Sequence, residues 1–216
     1  MNSDLTRESH ASLARPRCKY SMAAKLFFLS MDLIAGKRTT LAKAKLIEML
    51  ASVPYRAWEF RLYARLTSCY RDQDAVKKAR EIIVWSRAAQ DNEYWHLRVL
   101  HEKMKEERCR DPWYLSAPFV FFSIGFYTMF SRLLARVSLR RAFLFNAEFE
   151  DHAEHVYARF VEEHPEWEQQ PLRNGLVKEY ADLANWADVF RRIGLDEREH
   201  MNRSFVFGGQ PQRVAG

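Results

Sequence analysis

The strings Glu93-Tyr94-Trp95-His96 and Glu197-Arg198-Glu199-His200 share one pattern, Glu-x-x-His. On an α-helix, residues i and i+3 lie on one face, so each pair can grip a single metal ion with a carboxylate oxygen and an imidazole nitrogen. Two such pairs, with one further Glu from each of two other helices, make the carboxylate-bridged di-iron site of a four-helix bundle. Glu48 and Glu150 are the candidates for those two carboxylates. Four Glu and two His offer hard oxygen ligands that bridge two ions, and nitrogen ligands that leave coordination positions open. The carboxylates also offset the charge of a di-ferrous pair. A bundle interior accepts so many acids only when they are neutralised.

One Glu-x-x-His alone is weak evidence, because a chain with 28 Asp and Glu and 7 His produces such pairs on solvated faces by chance. Two of them, each inside a strongly helical segment, carry more weight. The third carboxylate is the least defined, since Glu148, Asp151 and Glu154 crowd around Glu150. His152 and His155 are extra imidazoles, either metal-binding or simply solvated. Spacing gives Glu150 one advantage: Tyr157 lies two helical turns further along the same face. A phenol beside a metal can relay an electron and a proton, although a tyrosine in that place is more often core.

Helices must carry these residues. Residues 22–34 read as a short, largely apolar helix ended by Gly36. Thr39 or Thr40 caps the next, about 41–68, which bears Glu48 and is expected to kink at Pro54. Asp72 or Asp74 opens a long helix to about 107 with Glu93 and His96. Asp111-Pro112 reads as a helix start. Residues 117–131 are uncharged and rich in Phe, and about 15 residues is short of the ~20 needed to span a bilayer. With Arg132, Arg136, Arg140 and Arg141 following, this stretch fits a helix lying in one leaflet against anionic lipid; a buried core helix is the alternative. A helix over about 139–163 carries Glu150 and Tyr157, and one over about 173–203 carries Glu197 and His200.

The whole reads as an all-α chain: a flexible tail at 1–21, one helical domain at 22–203, and a flexible tail at 204–216. The length, 216 residues, suits a single substantial core. With 7 Gly and 7 Pro the chain has few breakers, and its net charge is +6. No basic run is long enough to favour nucleic acid. Three cysteines, an odd number without metal-type spacing, fit a reduced compartment. The first twenty residues contain no secretory signal, and Asp4 and Glu8 argue against a transit peptide. The expected location is the cytoplasmic face of a bacterial inner membrane, with an organelle membrane as the alternative.

Four motifs resemble those of the alternative oxidases. Glu48-Met-Leu-Ala-Ser-Val-Pro-Tyr55 is similar to their first ligand motif, and Asn92-Glu93-Tyr-Trp-His96-Leu97 to their Asn-Glu-x-x-His-Leu. Glu150-Asp-His-Ala-Glu-His-Val-Tyr157 and Asp188-Val-Phe-Arg-Arg-Ile-Gly-Leu-Asp196-Glu197-Arg-Glu-His200 resemble the plastid terminal oxidase branch. The motifs keep the family's order over roughly residues 40–203.

The resemblance implies a ferritin-like four-helix bundle with a di-iron centre and two short membrane-interface helices. It implies a monotopic quinol oxidase that reduces oxygen to water without pumping protons. Glu48, Glu93, Glu150 and Glu197 would be the iron carboxylates, His96 and His200 the paired imidazoles, and Tyr157 the redox-active tyrosine. Asn92 and Asp196 would be the hydrogen-bonding pair that orients the histidines. Lys43 stands where mitochondrial members have an Arg near the quinol, and with Ile47 it is assigned to the quinol. Lys offers a point charge where Arg offers a fork. The implied partners are quinol, oxygen and one membrane leaflet, with no nucleic acid; dimerisation is left open. A di-iron hydroxylase of a quinone precursor or lipid would use the same ligands. A membrane-surface binding protein would hold no metal.

Overall fold

A computed structural model describes residues 2–215; Met1 and Gly216, the outermost residues of the two expected tails, lie outside the described residues. Among the described residues the chain is all-α: eight α-helices, short 3-10 turns, and no strand beyond one isolated antiparallel bridge, Pro171 to Asn185. The chain divides into two compact units. Residues 40–144 and 207–209 form one, here the hairpin unit. Residues 2–39, 145–206 and 210–215 form the other, here the strapped unit.

In the hairpin unit, α3 (Leu41–Cys69) packs against α4 (Gln73–Glu106). Thr40 caps α3, its hydroxyl accepting from the Lys43 N–H at 3.1 Å, and Asp72 caps α4. Helix α3 continues as α-helix through Pro54. Its buried residues Leu41, Ala44, Glu48, Ala51, Tyr55, Trp58 and Leu62 follow one another at alternating steps of three and four. Ala79, Ile82, Ser86, Ala89, Glu93, His96, Leu100 and Lys103 do the same on α4. That alternation is the seam of helices packed lengthwise. An aromatic plug fills its middle: the Trp58 and Trp85 rings stack at 5.6 Å, with Tyr55 and Phe143 edge-on to Trp58 at 5.0 and 4.6 Å.

A 3-10 turn (Trp113–Leu115) leads into α5 (Ala117–Val137), which packs on α3. Asp111 is not the cap that sequence suggests. Its carboxylate instead accepts from buried Lys45 at 2.9 Å, and the helix starts after Ser116. Nor does α5 stop at the first arginine. It runs 21 residues, and by length and composition alone it is apolar enough to cross a membrane, which the shorter uncharged stretch is not. It is no buried core helix: only 11% of its most apolar window is buried, and Phe121, Phe122, Phe126, Met129 and Leu133 are exposed. The Arg132 guanidinium lies over the Phe60 ring at 4.9 Å.

The strapped unit departs most from the sequence expectation. In place of a loose N-terminal tail, residues 3–14 form α1 (Ser3–Ala14), capped by Asn2. Helix α2 (Met22–Ala35) follows, capped by Ser21 and ended by Gly36 at φ 83°, a conformation that favours glycine. Met22, Leu26, Leu29 and Leu33 are exposed along α2, while Phe27 packs on Phe149 at 5.4 Å. Helix α6 (Leu139–Glu163) matches its expected bounds. The single last helix expected over 173–203 is two: α7 (Gly175–Tyr180) and α8 (Trp186–Phe207). The break falls at Asn185, whose side chain accepts from the Asp188 N–H at 2.8 Å and so starts α8 afresh. The C-terminus is tied rather than loose, since Asn202 exchanges two hydrogen bonds with the Ala215 backbone.

Candidate metal centre

Each unit assembles one triad of two carboxylates and one imidazole. In the hairpin unit these are Glu48 from α3 with Glu93 and His96 from α4, exposed by no more than 3%. His96 Nδ1 lies 3.6 Å from Glu48 Oε2 and 3.5 Å from Glu93 Oε2. In the strapped unit they are Glu150 from α6 with Glu197 and His200 from α8, all buried, with His200 Nδ1 3.7 Å from Glu197 Oε2. Within each triad the ligand atoms lie within 4.8 Å of one another.

These spacings suit ligands around a shared cation. Two atoms each about 2.1 Å from one ion stand roughly 3.0 Å apart at a right angle and roughly 4.2 Å apart when opposed. The observed 3.5 to 3.7 Å falls between those limits and is longer than an ordinary hydrogen bond. Every ligand is buried on its helix among mostly apolar or aromatic groups. On α8 the buried series is Trp186, Phe190, Ile193, Glu197, His200 and Ser204. A carboxylate in such surroundings is costly unless a cation neutralises it. Two carboxylates balance one divalent ion in each triad, and the mixed oxygen and nitrogen donors suit a first-row metal.

The crowd of acids on α6 sorts itself. Glu148 accepts from the Ser21 hydroxyl at 2.6 Å. Asp151 accepts from Arg15 at 2.7 Å, the Tyr20 hydroxyl at 2.8 Å and the Cys18 N–H at 3.0 Å. Glu154 accepts from Arg15, from the Ser12 hydroxyl at 2.7 Å and from Arg198 at 2.9 Å. All three competitors are engaged by residues 2–21, here the strap, or by Arg198, and Glu150 is the one that joins Glu197 and His200. The extra imidazoles are engaged too: His152 stacks on Phe28 at 4.2 Å, and the ring nitrogens of His155 lie 2.7 and 2.9 Å from the carbonyl oxygens of Asp151 and Arg15.

These contacts set the local electrostatics. Burial alone would push the Asp151 carboxyl up, but hydrogen bonds from Arg15, Tyr20 and the Cys18 N–H outweigh it and hold the carboxyl below its usual value. Burial, with the Asp151 charge beside it, pushes the Tyr20 phenol well above its usual range. Burial likewise raises the Cys18 thiol.

No protein-family model matches the sequence, and no curated protein does.

The remaining expected residues fall as follows. Tyr157 is buried in the strapped unit, its ring 6.1 Å from Phe190, and a Cβ built on Gly194 would stand 3.5 Å from the tyrosine Cβ. Gly194 precedes Glu197 by one turn of α8, so Tyr157 packs on the helix that presents that ligand. Asp196 accepts from the Tyr180 hydroxyl and from Arg192, both at 2.5 Å. Asn92 is half-buried on α4 beside Glu93. Lys43 and Ile47 are both buried, one turn apart on α3. Sequence reasoning missed Asn146, whose amide donates to Glu150 Oε1 at 2.8 Å and to the Ser204 hydroxyl at 3.2 Å. Its place four residues before Glu150, on the same helix face, is a signal that could have found it.

Proposed function

We propose that this chain is a membrane-associated quinol:oxygen oxidoreductase of the alternative oxidase type. In this reading the chain is a ferritin-like bundle with a centre for two irons. The observation that carries it is the pair of matching triads, each two Glu and one His, each buried. The exposed apolar residues of α2 and α5 support attachment to a membrane, from which a quinol would enter.

Glu48, Glu93, His96, Glu150, Glu197 and His200 would hold the metal. Iron bound there supplies the electron-transfer chemistry that oxygen reduction requires. Two quinols yield four electrons and four protons, which convert one oxygen molecule to two waters. The chain's own part is to orient and exclude. Asn146 donates to one oxygen of Glu150 and so helps to orient that carboxylate. The aromatic plug keeps water out of the α3–α4 seam. Lys43 and Ile47 would contact the quinol head, and the Tyr157 hydroxyl would pass a proton and an electron between quinol and centre.

The decisive measurement is iron content together with oxygen uptake by membranes carrying the protein, with a quinol as donor. About two irons per chain and quinol-dependent uptake are expected, both lost in the Glu93→Ala/Glu197→Ala double variant. Uptake unchanged by that variant overturns the reading. A hydroxylated product in place of a simple quinone makes the enzyme a hydroxylase.

A further inference from the structure

The hairpin unit contains a cavity of about 240 Å³ where the end of α3, the start of α4 and the start of α6 meet. Its walls are apolar, with Leu66, Ile82, Phe143 and Phe207 among them. Its rim is cationic: Arg65 on α3, Lys78 on α4 and Arg140 on α6. Among the described residues that line it, none is acidic. The Arg140 Nε donates to the Gly208 carbonyl at 3.0 Å, which holds the guanidinium at the mouth. All three cations are exposed, and among the described residues none forms an ion pair with a carboxylate.

We propose that this cavity binds an anionic amphiphile, a single apolar chain ending in a carboxylate or phosphate. Three like charges gathered around an apolar hollow repel one another and raise the local potential, and an anionic head relieves both effects. The hollow takes the chain. At roughly 30 Å³ per water-sized group it holds about eight, so a chain of about that many carbons fits, with the head left at the rim. The site stands apart from the metal ligands and does not depend on the oxidase reading. It also lies close to a source of such chains: α5, with its exposed apolar residues, ends at Val137, and Leu139 of the cavity wall follows almost directly. The same chemistry is offered by a free fatty acid and by an anionic lipid drawn from a bilayer.

Trp85 reports on the site, since its ring lies 5.1 Å from that of Phe207 in the wall. The probe is decanoate brominated at its chain end, a short-range quencher of tryptophan emission. Saturable quenching is expected in the intact chain and is expected to fall in Trp85→Phe, the remainder coming from Trp58, whose ring lies 4.6 Å from Phe143 of the wall. The Arg65→Glu/Lys78→Glu variant, altered only at exposed positions, is expected to bind at least tenfold more weakly with an unchanged melting temperature. Bromodecanol of the same length, tested on the unaltered protein, is expected to bind at least tenfold more weakly as well. Vesicles of phosphatidylcholine containing brominated phosphatidic acid form the second arm. Quenching by vesicles alone identifies a membrane lipid, quenching by monomeric bromodecanoate identifies a free acid, and either supports the site. The proposal is overturned by an absence of quenching in both arms, by equal binding of the alcohol and the acid, or by quenching that persists unchanged in Trp85→Phe.

Discussion

The triad on α3 and α4 and the triad on α6 and α8 contain the same side chains, yet they are supported by different physics. Around Glu48, Glu93 and His96 the hairpin unit offers packing: seam residues in steps of three and four, and a stack of Trp58 on Trp85 with Tyr55 and Phe143 against it. Around Glu150, Glu197 and His200 the strapped unit offers charge. Arg15 and Arg198 meet Asp151 and Glu154, with Ser12, Cys18 and Tyr20 completing the acceptors' needs. Packing is indifferent to pH and is not screened by salt. A charge network is not, and it is only as good as its most easily lost member. Two ligand sets of equal composition are therefore expected to fail under different conditions.

The contrast is tested most severely by removing the centre of each support. Trp58→Ala deletes a fully buried ring and is expected to cost about 3–5 kcal/mol by urea denaturation, with the same loss at pH 5 and pH 8. Arg198→Ala leaves Glu154 buried with one cation fewer and is expected to cost about 3 kcal/mol. It should also make residues 2–21 the first site of limited proteolysis. If Arg198→Ala leaves the strap as resistant as before, the charge network is not what holds it.

Acid separates the two supports without mutation. The Asp151 carboxyl sits below the value of about 3.9 that it has when unfolded. Its contribution is thus complete above that value and declines as pH falls through the lowered folded value. Amide hydrogen exchange is expected to show residues 2–21 opening below about pH 4, while the amides around Trp58 and Trp85 remain protected by anything but global unfolding. Simultaneous opening of both regions would remove the distinction.

The smallest effect concerns the contact between Tyr157 and α8. A methyl group on Gly194 would meet the Tyr157 Cβ at 3.5 Å, an ordinary contact. Gly194→Ala is accordingly expected to stabilise by up to about 1 kcal/mol through helix propensity. A loss of stability in thermal melting would mean that Tyr157 packs on α8 more tightly than that distance suggests.

What could be read from the sequence follows the same division. The two Glu-x-x-His pairs, the bounds of α6 and the Asp72 and Thr40 caps depend on residues within two turns of each other, so spacing exposes them, whereas Glu48 and Glu150 are singled out only with the help of Tyr157 and the family resemblance. The strap depends on partners more than 120 positions away, as with Arg15 on Asp151 and Arg198 on Glu8. Its own sequence buries little besides Leu5, which is why it reads as a tail. The break before α8 is hidden because Ala181, Leu183 and Ala184 favour helix, and only the Asn185 side chain shows where a new one starts. Asp111 reads as a cap until Lys45, distant in sequence, takes its carboxylate.

Arg198 stands between Glu197 and His200, and Asp151 directly follows Glu150. Along these stretches of α6 and α8, alternate faces serve ligand and strap with no neutral turn between them. One inserted or deleted residue swings everything beyond it by about 100°, a full exchange of those duties. Inside Asn146–Tyr157 and Gly194–Ser204, descendants of this chain can change letters but never their number.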